Sequence, residues 1–476
     1  MAAGLSLAVF LLLGGGGAPS PLVLGGLEVL GLICLGGLLY FHAFVRPIRI
    51  GVWPGGVLLV AGCALVAAQL VPLPWELWST LPGHALPARA LAAAGLDGTA
   101  RPLSLAPAYT RSALLTLLPA LATFLFCAAL NFERRLRMLR VLLIVALASA
   151  ALGLLQVLMP NTPQLYLSSR AIFELSSGIF ANRNSQANFL LVAIITCIAL
   201  AKVAENRREQ RGYWGWTAAI VGFLSAMTFA TQSRFGLAGL IVLLAVGTYA
   251  LGAFSRSETP RFPKDAPRSR WRWIDSRVVV TAIAVLFAGA GIYLAGGGAL
   301  ERLSIGPTED AVGELRITAI PDLVVAIKTY FPFGAGLGTF DAVYRSVESL
   351  ELVSPQYFNH AHNDFIELFI EAGTAGMLLP IAFVVALAIA TVTRRRDKSR
   401  TRRTVHLAAA AGLALMLLHS FVDYPLRTVT VGCSFALLAA ILFVPDDWAR
   451  GTPPIRSTRA GALRVAAAVA IAVAVI

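Results

Sequence analysis

Runs of about twenty apolar residues recur along nearly the whole chain. A run of that length can cross the ~30 Å hydrocarbon core of a bilayer as a helix whose backbone groups pair internally. Apolar residues make up 57% of the sequence and charged residues 13%, with a mean hydropathy of +0.75. That balance excludes a soluble core and predicts an all-α integral membrane protein. Spans read at about 5–17, 22–45, 51–72, 110–131, 138–159, 178–201, 215–232, 235–254, 278–297, 372–393, 405–421, 428–445 and 463–476. The first is short and Gly-rich, suiting a tilted span or a signal-like segment, and Pro19 and Pro21 interrupt the place of a cleavage site. The last span ends without a hydrophilic tail, as expected of a truncated chain.

The expected architecture is a polytopic bundle of 12 or 13 transmembrane helices with a large periplasmic loop containing amphipathic helices. About nine spans occupy 1–297, with a smaller loop at 73–109; the large loop is 298–363, and further spans fill 364–476. Charge sets the orientation. With Met1 in the cytoplasm, segments 46–49, 133–140, 202–211, 255–277, 394–404 and 446–464 share one side. They hold 28 of the 39 Lys and Arg residues but only 9 of the 25 acidic ones. The net charge of +14 is therefore a topology signal, met by anionic lipid headgroups, and not a nucleic-acid footprint.

Cys34, Cys63, Cys127, Cys197 and Cys433 all fall inside apolar runs with no CxxC pair, so they read as small buried hydrophobes, and no metal-ligand spacing appears. The loop at 73–109 is Pro-rich, and its Trp75 and Trp78 suit an interfacial anchor. In the large loop, Asp310 to Phe331 carries apolar residues at helical spacing and is stopped by Pro332. Phe333 to Phe340 follows as a glycine-rich turn, read as a place where backbone packs closely against a helix.

Ionisable residues concentrate where this loop enters the next span: His360, His362, Asp364, Glu367 and Glu371, with Asn363 among them and Gly373 and Gly376 following. Charge at a membrane border is costly to desolvate, which points to a site. A neutral imidazole at His360 or His362 is a natural general base for a hydroxyl. Asp364 and Glu367 also have capping-box spacing, and Gly373 and Gly376 suit close helix packing. Three arginines are placed on the same outward face: Arg183 at the mouth of a span, Arg234 in a short connection and Arg316 on the loop helix. Their planar forks suit phosphate oxygens, while snorkelling to headgroups or local acid pairing is the structural alternative. His42, His84 and His406 read as structural helix-end residues. His419, in the segment ending Asp423-Tyr424-Pro425-Leu426-Arg427, either lines the same cavity or caps its helix.

The pattern His362-Asn363, nine residues, Gly373, two residues, Gly376 resembles the signature of the O-antigen ligase and polymerase superfamily of bacterial membrane glycosyltransferases. The segments around Asn182-Arg183-Asn184, Ser233-Arg234-Phe235-Gly236, Phe333 to Phe340 and His419 to Arg427 are also similar to family segments, in this order. The resemblance implies transfer of a glycan from undecaprenyl diphosphate to an acceptor, either lipid A–core or a lipid-linked repeat. Transfer would occur at the periplasmic face of the inner membrane, without a metal or other cofactor. It places the family's essential histidine on His362, with His360 beside it, and the diphosphate-binding arginines on Arg234 and Arg316, with Arg183 a third. Glu367 or Asp423 would orient the base, with Asn182, Asn363 and Arg427 in support. Ligase, polymerase and protein O-glycosylation readings stay open, and a small-anion (bicarbonate) transporter is the alternative of a different class.

Overall fold

Apolar runs become helices wherever the computed structural model describes them, at residues 2–16, 21–44, 54–167, 176–206, 213–243, 318–353 and 358–446. The helices are α1 (Ala2–Leu13), α2 (Pro21–Phe44) and α3 (Pro54–Gln69), then α4 (Trp75–Trp78) and α5 (Ala85–Ala93) inside a two-residue hairpin of β1 (Pro72–Leu73) and β2 (Arg101–Pro102). They continue as α6 (Pro107–Thr116), α7 (Leu118–Ala129), α8 (Phe132–Leu158), α9 (Arg183–Asn206), α10 (Tyr213–Ala230) and α11 (Arg234–Leu243). The later part holds α12 (Ile320–Tyr330), α13 (Phe340–Tyr344), α14 (Asp364–Arg395), α15 (Arg400–His419) and α16 (Val429–Phe443). Among the described residues, five helical stretches are long and apolar enough to cross a membrane: Pro21–Tyr40, Pro107–Ala129, Phe132–Leu158, Arg183–Asn206 and Asp364–Arg395. The chain is an all-α polytopic membrane protein. Spans expected at 278–297 and 463–476 lie outside the described residues, as do most of 235–254 and the loop residues 298–317 that include Arg316.

Helix α9 is central, packed against α8, α10 and α15, and it carries no charge between Arg183 and Lys202. It starts at Arg183, later than the hydropathy boundary at 178. Asn182 caps it, its Oδ1 accepting from the Asn184 N–H at 2.8 Å. The preceding backbone is irregular, with Gly178 at φ +55°, and buried Gln156 of α8 satisfies it. Gln156 Nε2 donates to the carbonyls of Leu165 and Gly178, while its Oε1 accepts from the N–H groups of Ser177 and Gly178. Pro119, which lacks an N–H, coincides with the break between α6 and α7.

The two loops named from the sequence pack on each other. The Leu105 N–H donates to the Ala335 carbonyl at 2.9 Å, and Gly83 sits against the Tyr330 ring. Trp78 departs from the anchor reading: it is 3% exposed, and its Nε1 donates to the Pro102 carbonyl at 2.7 Å, so it forms the small core of its own loop. His84 is structural as expected, its ring nitrogens each 3.0 Å from a carbonyl, those of Pro82 and Leu103. Four cysteines are buried, Cys63 is partly so, and all five are free.

The basic runs 133–140 and 394–404 meet at the end of the bundle opposite His362. Arg135 is 1% exposed and 3.4 Å from Asp446, and its guanidinium donates to the Cys127, Leu130 and Val444 carbonyls. Arg402 also reaches Asp446, at 3.6 Å. Asp397, His406 and Asp446 offer one donor atom each within 4.8 Å, a grouping invisible in sequence spacing. Nδ1 of buried His406 faces Asp397 at 3.9 Å and Nε2 faces Asp446 at 3.5 Å. Two guanidinium groups, those of Arg135 and Arg402, also hold Asp446, so this carboxylate ties the two basic runs together.

Burial alone would push the Asp446 carboxyl up, but His406, Arg135 and Arg394 outweigh it and hold it below the usual carboxylate range. A carboxyl depressed in this way contributes stability above its unfolded pKa and loses it as pH falls through the folded one. Asp446→Asn is expected to cost about 3 kcal/mol at neutral pH, because Arg135 stays buried without its counter-charge. Thermal unfolding in detergent across pH should also show a flatter acid limb than in the wild type.

Candidate active site

The long helix α14 is two helices joined at a break. Gly373 has φ +56° and ψ −140°, a conformation open essentially to glycine alone. A break near a membrane border strands carbonyls that must find partners inside the protein. The glycine-rich turn supplies them: the N–H groups of Ala335 and Gly336 donate to the carbonyls of Ile370 and Glu371 at 3.0 and 2.8 Å. Gln69 Nε2 adds a bond to the Glu371 carbonyl at 2.9 Å, and the Thr374 N–H donates to Pro332. Gly334, at φ +82°, lets the turn lie directly on this backbone; a Cβ there would meet Glu371 O at 2.5 Å. Close packing against a helix, expected of this turn, is what the structure shows.

The stub Asp364–Ala372 carries the acidic residues. Asp364, Glu367 and Glu371 stand at i, i+3 and i+7, hence on one face, and all three reach Arg427. Arg427 Nη2 donates to Glu371 Oε2 at 2.8 Å and lies 3.2 Å from Glu367 Oε1, while its Nε is 3.8 Å from Asp364 Oδ1. Glu367 and Glu371 are fully buried. Burial works against the charge on Arg427, but Glu367, Glu371 and Asp364 outweigh it and raise its pKa above the usual arginine range. The capping box read from Asp364 and Glu367 is not formed. Asn363 is the N-cap, its Oδ1 accepting from the N–H groups of Phe365 and Ile366, and the Glu367 carboxylate reaches back to the Ala361 N–H at 3.0 Å. The cap lies one residue earlier because the Asn363 amide is placed to accept both N–H groups.

The two histidines have different partners. His360 Nδ1 is 2.8 Å from Glu367 Oε1, and His362 Nδ1 donates to Asp423 Oδ1 at 3.3 Å. Of the two carboxylates named for His362, Asp423 is the one in contact with it, and Glu367 contacts His360. Asp423 is 2% exposed; its Oδ2 accepts from the side chains of Asn184 at 2.7 Å and Asn182 at 3.3 Å. His362 has φ +48°, a left-handed conformation that costs a non-glycine residue about 1–2 kcal/mol. Neighbouring contacts hold it there: Ala361 N–H on Glu367, Asn363 Nδ2 on the Phe421 carbonyl and the Asp364 N–H on the Ser420 carbonyl. Tyr424 lies between the histidines, 4.2 Å from the His360 ring and 5.0 Å from that of His362.

Arg183 sits between Asn182 and Asn184, so its backbone is at the Asp423 end of the bundle. Arg234 begins α11, capped by Ser233 Oγ, which accepts from the Gly236 N–H at 3.1 Å. The next residue, Phe235, stacks on His419 at 4.0 Å, four positions before Asp423. His419 is buried and 2.7 Å from the Asn188 side chain, a packing role at the end of α15. Arg316 lies outside the described residues. Sequence reasoning missed Asn184, whose only signal was the Asn182-Arg183-Asn184 triplet, and Gln69, at the end of α3 with no local motif.

Gly373→Ala should be among the most damaging single-methyl changes in the chain. The backbone conformation is unsuited to alanine, and the new Cβ would collide with the Pro332 carbonyl. A loss of about 3 kcal/mol is expected from the positive φ and the clash together, read by thermal unfolding of the purified protein.

His362, the Gly373 break and the glycine-rich turn fall within the part of the sequence that matches a known family. Residues 218–381 match the family model described as O-antigen ligase, a segment that includes Arg234, His360, His362, Gly373 and Gly376. It ends before Asp423 and Arg427 and begins after Asn182. Comparison with curated proteins finds no match. That segment of this multi-pass membrane chain is therefore similar to the O-antigen ligase family, which supports a place in the O-antigen ligase and polymerase superfamily.

Proposed function

We propose that the chain transfers a glycan from undecaprenyl diphosphate to an acceptor sugar hydroxyl at the periplasmic face of the bacterial inner membrane. The observation that carries this reading is His362, held in a strained backbone with Nδ1 on the buried carboxylate of Asp423. Donation from Nδ1 leaves Nε2 as the basic nitrogen. Asp423 then stabilises the imidazolium formed when Nε2 takes a proton, and Asn182 and Asn184 hold Asp423 in place.

The acceptor oxygen attacks the anomeric carbon, the bond from that carbon to the diphosphate oxygen breaks, and the hydroxyl proton passes to His362 Nε2. The lipid diphosphate leaves with the bonding electrons. Arg183, Arg234 and Arg316 are assigned to the negative charge that develops there, a role in which no metal is required. Arg427, engaged by three carboxylates, is a structural cation and takes no part in diphosphate binding. The break at Gly373 lends no weight to a transporter, because its carbonyls are filled by protein groups and present no ion ligands. An acceptor in lipid A–core supports the ligase reading, and one in a lipid-linked repeat the polymerase reading.

The test is glycan transfer by purified protein in proteoliposomes. His362→Ala and Asp423→Asn are each expected to reduce kcat by at least about 100-fold, the usual scale for a lost general base, while Arg234→Ala lowers transfer without altering the pH profile. Full activity in His362→Ala would overturn the assignment.

A further inference from the structure

A polar cavity of about 230 Å³ opens beside the histidine pair, lined by Asp341, Asn359, His360, Glu367, Glu371 and Arg427. Its volume is below the ~300–1,000 Å³ typical of drug-sized ligand sites, which leaves room for a single sugar ring and not for a lipid diphosphate with its glycan. The lining charge decides the chemistry. Three carboxylates face one guanidinium, and that guanidinium is already bound by Glu367 and Glu371. An anionic diphosphate meets repulsion there, whereas hydroxyl groups meet the accessible oxygens of Asp341 and Asn359, with buried Glu367 and Glu371 setting the negative field behind them. Asn359 adds an amide that can both donate and accept. Asp341 is paired at the rim with Arg345 at 2.8 Å, so its position is set. His360, with 28% of its side chain exposed, links the cavity to Glu367, and Tyr424 carries the wall across to His362.

We propose that this cavity is the subsite for the acceptor: it binds, through hydroxyl hydrogen bonds, the sugar ring whose hydroxyl is delivered to His362. This rests on the glycosyl-transfer reading above and adds a division of the site. The diphosphate lies toward the arginines of α9 and α11, and the nucleophile lies on the acidic side toward α13 and the 358–360 segment. Asn359 and Asp341 are positioning residues, and His360 is a wall of this subsite in place of a second base.

The experiment uses the full-length protein in proteoliposomes, with lipid A–core and a lipid-linked repeat as alternative acceptors, varying donor and acceptor separately. Asn359→Ala and Asp341→Asn are expected to raise the acceptor KM about tenfold, equivalent to ~1.4 kcal/mol of binding. The donor KM and kcat should stay near wild-type values. A raised donor KM with an unchanged acceptor KM overturns the proposal by making this the donor sugar's place, and two unchanged KM values overturn it as well. If the wild type transfers nothing to either acceptor, the glycosyl-transfer reading fails separately. Saturation-transfer NMR with free core and free repeat oligosaccharides then decides the cavity's role. Signals present in the wild type and lost in Asn359→Ala support a sugar subsite; no signal from either oligosaccharide rejects it.

Discussion

Arg427 stands among Asp364, Glu367 and Glu371, and the geometry around the histidines depends on that contact. Two of these carboxylates are fully buried, and without a cation among them they would carry a desolvation cost of several kcal/mol each. With it, the stub of α14 is fixed to the turn between α15 and α16. Glu371 extends the tie to the glycine-rich turn by accepting from the Phe340 N–H at 3.2 Å. Glu367 extends it to His360 and to the Ala361 N–H. The segment 360–364 is thereby fastened on one side to the acidic stub and on the other to residues 420–423. His362 keeps its left-handed backbone because both flanks are held.

The Gly373 break makes this arrangement possible. An unbroken helix from Asp364 would have hydrogen-bonded the Ile370 and Glu371 carbonyls to its own next turn, leaving the glycine-rich turn nothing to pair with. The break frees them, the turn and Gln69 occupy them, and the two surface loops become a single cap over the end of the bundle. Chemistry at a membrane border needs such a cap, since irregular backbone there is tolerated only where protein satisfies it.

Periodicity and hydropathy made the spans legible, because burial in lipid imposes a length and a composition on each. The basic runs 133–140 and 394–404 were placed on one side from charge alone, and the helices bring them together. The face shared by Asp364, Glu367 and Glu371 could be read from helical spacing, and the pairing of His362 with Asp423 was one of two options. The remainder was hidden in contacts between distant segments. Asn184 lies 239 positions from Asp423, and Gln69 lies 302 from Glu371, so neither contact leaves a local pattern. The capping box failed for a local reason, the competition between two adjacent side chains for the same N–H groups. Trp78 was misassigned because an indole that suits an interface also suits a small core when a carbonyl, here Pro102, meets its N–H.

The described acidic part of the site is organised by Arg427, and the proposed function assigns Arg183, Arg234 and Arg316 to a basic part. That Arg427 is an internal counter-charge, and not a phosphate ligand, is tested most directly by a double-mutant cycle with Glu371 in thermal unfolding of the purified protein. Arg427→Met should destabilise by about 3 kcal/mol, because buried Glu367 and Glu371 lose their cation, and Glu371→Met by less, because Arg427 keeps Glu367 and Asp364. The double variant should lose less than the sum, since the Glu371 carboxylate that Arg427→Met strands is then absent. Strict additivity, or an Arg427→Met protein as stable as the wild type, would contradict it.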